Sequence, residues 1–185
     1  MQLKLHFETV FIEANFEEVI FPSIWEDETF TNKVGEENSN MMWRFKDKKD
    51  RSVCLVPEIT GMAQEQWRTN WSKNRSNYNL FYVQRCYRYE KPQAGRYREF
   101  TQLGIEMLGS TDVKQSINLL ETFLNKLNIN YTINKSATRG LSYYTGLGYE
   151  AAVESLGAQK QIAGGGPYEE GVGWAVGLDR LMLIV

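Results

Sequence analysis

The stretch RCYRYEKPQAGRYREFTQLGIE, residues 85–106, decides the fold because it reads as two strands joined by a short loop. Runs rich in aromatic and β-branched residues flank residues 91–96, where Pro92 and Gly95 interrupt strand pairing. Since side chains alternate between the two faces of a strand, such a hairpin has a polar and an apolar face. The polar face carries Tyr82, Gln84, Cys86, Arg88, Glu90, Arg98, Phe100, Gln102, Gly104 and Glu106, and the apolar face carries Phe81, Val83, Tyr87, Tyr89, Leu103 and Ile105. We therefore predict an antiparallel hairpin with one side in the core.

The polar face of this hairpin has two interpretations. A half-solvated antiparallel sheet normally alternates polar and apolar side chains. The recurrence of Arg88, Arg96 and Arg98 near one loop instead suits a triphosphate, because a planar guanidinium binds phosphate bidentately and stays charged. The chain contains neither GxxxxGK[ST] nor GxGxxG, so it lacks both common glycine-rich phosphate loops. If the protein binds a nucleotide, arginines must hold the phosphates.

Composition bounds the class of protein. A length of 185 residues with 42% hydrophobic residues is typical of one globular domain with a substantial core. The net charge of −2 provides no general basic field, which argues against strong unaided binding of nucleic acid. Cys54 and Cys86 lie in strand-like runs, where buried free thiols are the default, and two cysteines do not form a disulfide framework.

The chain has no apolar run of transmembrane length and no signal-peptide pattern at its N-terminus. We therefore expect a soluble, cytoplasmic protein that does not interact with a membrane. His6 is the single histidine, which leaves little material for a Ser-His-Asp triad or a histidine-rich metal site. It lies on a predicted N-terminal helix, and we interpret it as a surface or packing residue.

The rest of the chain is predicted to mix helices and short strands. Residues 2–14 carry apolar side chains at helical spacing, and Asp112 followed by Gln115 is typical of a helix N-cap. Further helices are predicted at 60–71 and 178–185, a polar connector at 134–138, and strands at 16–22, 52–57, 129–133, 139–150, 162–166 and 172–177.

Two features near the C-terminus each have two interpretations from the sequence alone. The glycines at 164–166 are either a permissive turn or a place where a ligand or another backbone approaches closely. Arg180 is the one charged side chain in the apolar run after Asp179. It either extends to solvent, the default for an isolated arginine, or points at an anion.

Three separated signatures resemble the three motifs of class II aminoacyl-tRNA synthetases, in the same order. Phe16-x-x-Val19-x-x-Pro22 resembles motif 1, residues 87–90 with the loop to Arg96 resemble motif 2, and residues 177–180, Gly-Leu-Asp-Arg, resemble motif 3. The stretches 55–60, 91–100 and 139–146 are similar to histidyl-tRNA synthetase in particular, the last through its Arg-Gly-Leu-x-Tyr-Tyr element.

The resemblance implies an α+β fold, with a mixed, mostly antiparallel sheet flanked by helices. It implies that residues 1–185 form a single class II catalytic domain, homodimeric through the region Phe16–Pro22. The implied activity is the ATP-dependent activation of an amino acid, histidine or a related one, with ATP and Mg²⁺ as cofactors and tRNA as a possible but weakly bound acceptor.

Site residues are carried over from the resemblance by matching position. On the ATP side, the resemblance implies that Arg88 contacts the α-phosphate and that Arg139 faces this phosphate from the opposite flank, where related class II enzymes use a metal ion. It also implies that Glu90 contacts the adenine side and that Arg96 and Arg180 contact the outer phosphates. On the amino-acid side, Glu58, Thr60 and Gln102 hold the amino group, Glu106 and Tyr144 read the imidazole, and Tyr143, Tyr168, Gly164, Gly165 and Gly166 line the pocket.

Several positions depart from the family pattern. Val56 stands for an arginine, Ile59 for a glycine, Thr101 for a histidine, Ser142 for an aspartate, Pro167 for an arginine and Asp179 for a glutamate. Most phosphate-facing arginines remain, so these changes concern the identity of the amino acid more than the use of ATP. The insertion between motifs 2 and 3 shrinks to residues 134–138 and the chain ends at Val185, so we expect no anticodon-binding domain and a weak grip on tRNA.

Three hypotheses follow. The first is a free-standing enzyme that activates an amino acid with ATP. The second is a non-catalytic, histidine-sensing regulatory relative of histidyl-tRNA synthetase, which the retained arginines disfavour because a sensor of free amino acid needs no triphosphate clamp. The third is a minimal or truncated core of an ordinary synthetase, which shares the chemistry of the first.

Overall fold

The computed structural model describes residues 2–31, 33–138, 140–157 and 159–185. Its helices are α1 (Gln2–Glu13), α2 (Glu28–Thr31), α3 (Gly35–Asn40), α4 (Thr60–Thr69), α5 (Val113–Lys126) and α6 (Leu178–Leu181). Its strands are β1 (Glu17–Glu18), β2 (Ile24–Glu26), β3 (Arg44–Lys46), β4 (Ser52–Leu55), β5 (Tyr78–Tyr87), β6 (Glu99–Leu108), β7 (Thr132–Ala137), β8 (Gly148–Ala152), β9 (Gln161–Tyr168) and β10 (Gly171–Gly177).

A seven-stranded sheet in the order β1-β5-β6-β10-β9-β8-β7 organises the chain, and a second sheet has the order β2-β4-β3. All neighbours in both sheets are antiparallel except β1 and β5, which run parallel. The predicted α+β fold, with a mostly antiparallel sheet flanked by helices, is confirmed.

The hairpin predicted from residues 85–106 is confirmed as β5 and β6. Gln84 pairs with Gln102 and Cys86 with Phe100, so the two polar rows share one face, as the alternation requires. The loop turns at Gly95, whose φ of +70° lies in the left-handed region that glycine adopts without strain.

Each face of the large sheet carries its own hydrophobic layer. On one face, α1 and α5 pack Phe7, Phe11 and Phe123 around Trp174. Asp112 caps α5, accepting a hydrogen bond from the Gln115 amide at 2.8 Å, as the spacing predicted. This layer explains why the apolar stripes of the two helices repeat at helical spacing.

The polar face is also covered, so the half-solvated interpretation is wrong for this part of the hairpin. Tyr82, Cys86 and Glu106 are fully buried there, beneath α2, α4 and the three-stranded sheet. Alternation along a strand separates two faces, but it does not tell whether a polar face meets water or a second layer.

Some predicted boundaries are wrong. The connector at 134–138 largely belongs to β7, an exposed edge strand where polar side chains face solvent. The strand predicted at 139–150 begins at Gly148, and the described residues before it form turns and a bridge. Helix α6 ends at Leu181 instead of Val185, and the strand at 16–22 is reduced to β1.

Candidate active site

A cavity of about 360 Å³ opens over the polar face of the hairpin, where several distant segments meet. The loop after β5, the start of α4, the turn at 140–144, β9 and the junction of β10 with α6 all contribute to its lining. Of the predicted site residues, the lining includes Glu58, Thr60, Arg88, Glu90, Arg96, Gln102, Tyr143, Tyr144, Gly164 and Arg180. The fold therefore brings together ten predicted residues that span more than a hundred positions of sequence.

Arg88 enters the cavity from the end of β5. Its Nε donates a hydrogen bond to the Pro57 carbonyl oxygen at 2.9 Å, and its guanidinium carbon lies 5.2 Å from the centroid of the Phe100 ring. These two contacts hold the charged head in one place, which reduces the ordering cost of binding an anion.

Arg96 and Glu90 face each other across the loop between β5 and β6. Arg96 Nε lies 3.4 Å from Glu90 Oε2, and the backbones of Gln93 and Arg96 exchange hydrogen bonds at 3.1 and 2.9 Å. The turn thus carries a positive and a negative group side by side at the rim of the cavity.

Arg180 projects from the first turn of α6 and is held by neutral acceptors. Its guanidinium donates to the Gly95 carbonyl at 3.3 Å, to the Gln161 carbonyl at 2.5 Å and to the Gln159 side-chain oxygen. Burial, and then the nearby charge of Arg96, lowers the pKa of Arg180. An anion placed between the two arginines would relieve both effects.

The opposite wall carries a buried carboxyl group. Glu58 Oε1 accepts from the Gly61 amide at 2.8 Å, and the Tyr143 hydroxyl donates to Oε2 at 3.3 Å. Burial raises the pKa of Glu58, while the Gly61 amide and the charge of Arg88 favour its ionised form. A bound ammonium group would favour the carboxylate further.

Glu106 lies behind this wall, outside the lining of the cavity. Its two oxygens accept from the Thr60 hydroxyl and from the Tyr168 hydroxyl, each at 2.6 Å. Burial raises the pKa of Glu106 to about 8. Burial thus favours the protonated carboxyl, and its two oxygens hold the Thr60 and Tyr168 hydroxyls in place.

The raised pKa of Glu106 predicts a stability that depends on pH. The folded chain retains this proton up to about pH 8, whereas a carboxyl with the ordinary pKa of 4.5 loses it earlier. The stabilisation is therefore complete below about pH 4.5 and is lost as the pH rises through 8, at up to about 1.4 kcal/mol per pH unit. Urea unfolding between pH 5 and 9 should give a shallower decline for Glu106→Gln than for the parental chain.

The exposed Glu99→Gln, on the same strand, is the matched control and should leave this slope unchanged. Glu58 contributes a decline of the same sign, so the comparison concerns the difference between variant and parent. An identical slope in Glu106→Gln and the parent would contradict the assigned protonation.

The remaining predicted site residues that the structure describes are not part of the cavity lining. Tyr168 touches Glu106, and Gly165 faces Tyr149 and Trp174 on the opposite side of β9. Gly166 packs against Tyr144, a lining residue. Arg139 lies outside the described residues.

The cavity also contains polar residues that sequence reasoning missed. Glu150 enters from β8, Gln161 from the start of β9, and Asp179 from the beginning of α6. Asp179 is part of the motif 3 signature, directly before its arginine, but the resemblance assigns it no contact in the site. Glu150 carried no signal, since it ends the strand predicted at 139–150, and Gln161 lies just before the strand predicted at 162–166.

Comparison with known proteins identifies the family. Residues 2–129 match the family model described as histidyl-tRNA synthetase. The chain belongs to the histidyl-tRNA synthetase family. The resemblance seen in the motifs is thus confirmed, for a class II synthetase of the histidyl-tRNA synthetase type.

Individual relatives agree with this assignment. A histidine–tRNA ligase of Metallosphaera sedula is 40% identical over 120 residues, which cover 63% of this chain and 28% of the relative. A histidine–tRNA ligase of Saccharolobus islandicus is 39% identical over 134 residues, or 71% of this chain and 32% of the relative. The matched segments therefore span about a third or less of the curated relatives.

A solved structure supports the fold. PylSc of Desulfitobacterium hafniense, a pyrrolysyl-tRNA synthetase, superposes with a TM-score of 0.76 at 19% identity. The match covers 98% of this chain and 65% of that one. At this identity the likeness concerns the fold alone.

Among the described residues of this histidyl-tRNA synthetase relative, no helix is both long and apolar enough to cross a membrane.

Proposed function

We propose that this chain forms an aminoacyl adenylate from ATP and an amino acid, with histidine as the preferred substrate. The main support for this proposal is that one cavity is lined by three arginines, Arg88, Arg96 and Arg180, together with Glu58 and Gln102. One group of side chains suits a triphosphate, and the other suits an α-amino group.

The proposed reaction needs little acid–base chemistry. The amino-acid carboxylate, already ionised at neutral pH, attacks the α-phosphorus of ATP. A carboxylate oxygen–phosphorus bond forms, the bond to the β-phosphate oxygen breaks, and pyrophosphate leaves with its electron pair. Because two anions must meet, positioning and charge neutralisation dominate catalysis.

Each side chain has an assigned part in this reaction. Arg88 neutralises the α-phosphate, Arg96 and Arg180 bind the outer phosphates, and Glu90 contacts the adenine. Arg139 is proposed to face the α-phosphate from the other flank, on the resemblance of its sequence element alone.

The amino-acid side of the proposal uses the opposite wall. Glu58, Thr60 and Gln102 hold the ammonium group, Tyr144 contacts the imidazole, and Tyr143 holds Glu58 in place. Glu106 contributes by fixing Thr60 and Tyr168, since both of its oxygens accept from those hydroxyls.

A resident metal ion needs a set of ligand side chains among the described residues. Within the described part of the chain, no group of three or more His, Cys, Asp or Glu residues could hold a metal ion. Mg²⁺ is therefore proposed to arrive with ATP, since this ion usually keeps waters and binds through substrate phosphates.

ATP–pyrophosphate exchange, measured with each of the twenty amino acids in turn, tests the proposal. We expect label incorporation that depends on one amino acid, histidine. Incorporation with a different amino acid would refute histidine as the substrate. Absence of incorporation with all twenty, together with binding of free histidine, would support the histidine-sensing alternative instead.

Two partners complete the proposal. The relatives are named histidine–tRNA ligases, so tRNA is the proposed acyl acceptor. A homodimer through residues 16–22 is proposed because Ile20 is 80% exposed, while Phe16 and Phe21 on either side are buried within the chain.

A further inference from the structure

The backbone changes from strand to helix at the edge of the cavity, just before Arg180. Strand β10 pairs with β6 as far as Gly177 opposite Gln102, and α6 begins at Leu178. The Leu178 carbonyl accepts the Met182 amide at 2.9 Å inside the helix. The Leu178 carbonyl therefore points along the helix, and it does not continue the β6–β10 ladder.

The Asp179 side chain takes over this missing step. Its Oδ2 accepts the Thr101 amide of β6 at 2.8 Å. Thr101 is the residue directly before the last paired position of β6, Gln102. A carboxylate thus replaces a main-chain carbonyl and extends the ladder by one hydrogen bond into the first turn of α6.

The next residue, Arg180, depends on where that turn is placed. Its guanidinium donates at once to two different segments, the loop at Gly95 and the stretch with Gln159 and Gln161 that leads into β9. Leu181, which is fully buried in the core, anchors the end of this four-residue helix, and the Asp179 side chain anchors its first turn. The bond from Asp179 to Thr101 connects this turn directly to the central strand β6.

We propose that Asp179 is a positioning residue, which sets the direction of Arg180 towards the phosphate side of the cavity by accepting the Thr101 amide. The part of this inference that concerns ATP rests on the function proposed above. The structural part, the placement of Arg180 by Asp179, does not.

The test compares Asp179→Ala, Asp179→Asn and the control Glu13→Ala, which removes a carboxylate at the far end of α1. Asparagine retains an acceptor oxygen but loses the charge. Three quantities are measured in the full chain: hydrogen exchange of the Thr101 amide, the ¹⁵N resonance of Arg180 Nε, and KM for ATP against kcat in pyrophosphate exchange.

In Asp179→Ala we expect the Thr101 amide to exchange at least about tenfold faster and the Arg180 Nε resonance to move. KM for ATP should rise about tenfold, with a smaller change in kcat. Asp179→Asn should stay within about twofold of the parent on all three measurements, as should Glu13→Ala. If Asp179 acts as a hydrogen-bond acceptor, alanine should impair all three quantities and asparagine should not. If it acts through its charge, both variants should be impaired.

Two results would overturn the proposal. One is an Asp179→Ala variant whose Arg180 resonance is unchanged. The other is an Asp179→Asn variant that loses ATP binding or changes its Mg²⁺ dependence while the Thr101 amide stays protected, because Asp179 would then act through its charge. If Asp179→Ala does not fold, the asparagine variant still decides between a role of the acceptor oxygen and a role of the charge. If the parental chain does not exchange pyrophosphate, the proposed function fails, and amide exchange and the Arg180 resonance still test the positioning role.

Discussion

Replacement of Arg88 by alanine is expected to lower the rate of ATP–pyrophosphate exchange by about 100- to 1000-fold, the usual cost of removing an electrostatic donor aimed at a developing negative charge. Arg88 lines the cavity and is held by the Pro57 carbonyl and the Phe100 ring. This fixed placement suits the neutralisation of the α-phosphate while the amino-acid carboxylate attacks. The substitution should lower kcat as well as raise KM for ATP, because Arg88 is proposed to stabilise the negative charge of the oxygens around the α-phosphorus in the transition state.

Arg85→Ala is the matched control for this prediction. Arg85 lies on β5, three residues before Arg88, but its side chain is exposed and paired with Glu99 away from the cavity. It should retain parental exchange activity. A thermal unfolding curve should accompany both variants, since Arg88 also donates to the Pro57 carbonyl. Near-parental turnover in a folded Arg88→Ala variant would remove this residue from the proposed site.

Gly165→Ala is expected to destabilise the fold severely, by about 3 kcal/mol or more, because overpacking between sheet and core leaves no room for relaxation. A Cβ at this position would overlap the Gly173 carbonyl oxygen and would lie 2.5 Å from Trp174 Cβ and 2.8 Å from Tyr149 Cζ. Gly173 and Trp174 belong to the neighbouring central strand β10, and both Trp174 and Tyr149 are buried. Urea unfolding measures the loss directly.

Gly146→Ala is the control, because a Cβ at that position would meet just the Pro167 ring, at 3.7 Å. It should unfold close to the parental urea concentration. A Gly165→Ala variant with parental stability but impaired amino-acid binding would contradict the packing role. Such a result would return Gly165 to the pocket lining that the family resemblance implied.

The glycines at 164–166 illustrate why sequence reasoning reached part of the site. It identified a segment where a side chain would obstruct a close approach, and left open what approaches. In the structure Gly164 lines the cavity, Gly165 allows contact with Trp174, and Gly166 allows contact with Tyr144. Neighbouring residues of a strand point to opposite faces, so one glycine run serves a site and a core at the same time.

Glu106 illustrates a different limit. Its place on the polar face of β6 followed from alternation, and the structure confirms that place. Its neighbours Thr60 and Tyr168 lie 46 and 62 residues away in sequence. No local pattern could predict that their hydroxyls would occupy both carboxyl oxygens, or that burial would raise the pKa to about 8.

By itself, the sequence determined the hairpin, the capped helix α5, the apolar stripe of α1 and the chemical types around the proposed phosphate and amino-acid pockets. These follow from periodicities and caps that act over a few residues. The tertiary structure alone decided that the polar face lies under a second layer, that Glu106 stands behind Thr60, and that Asp179 extends the ladder of β6. Each of these depends on contacts between segments far apart in the chain, and it is the packing of layers that brings such segments within hydrogen-bonding distance.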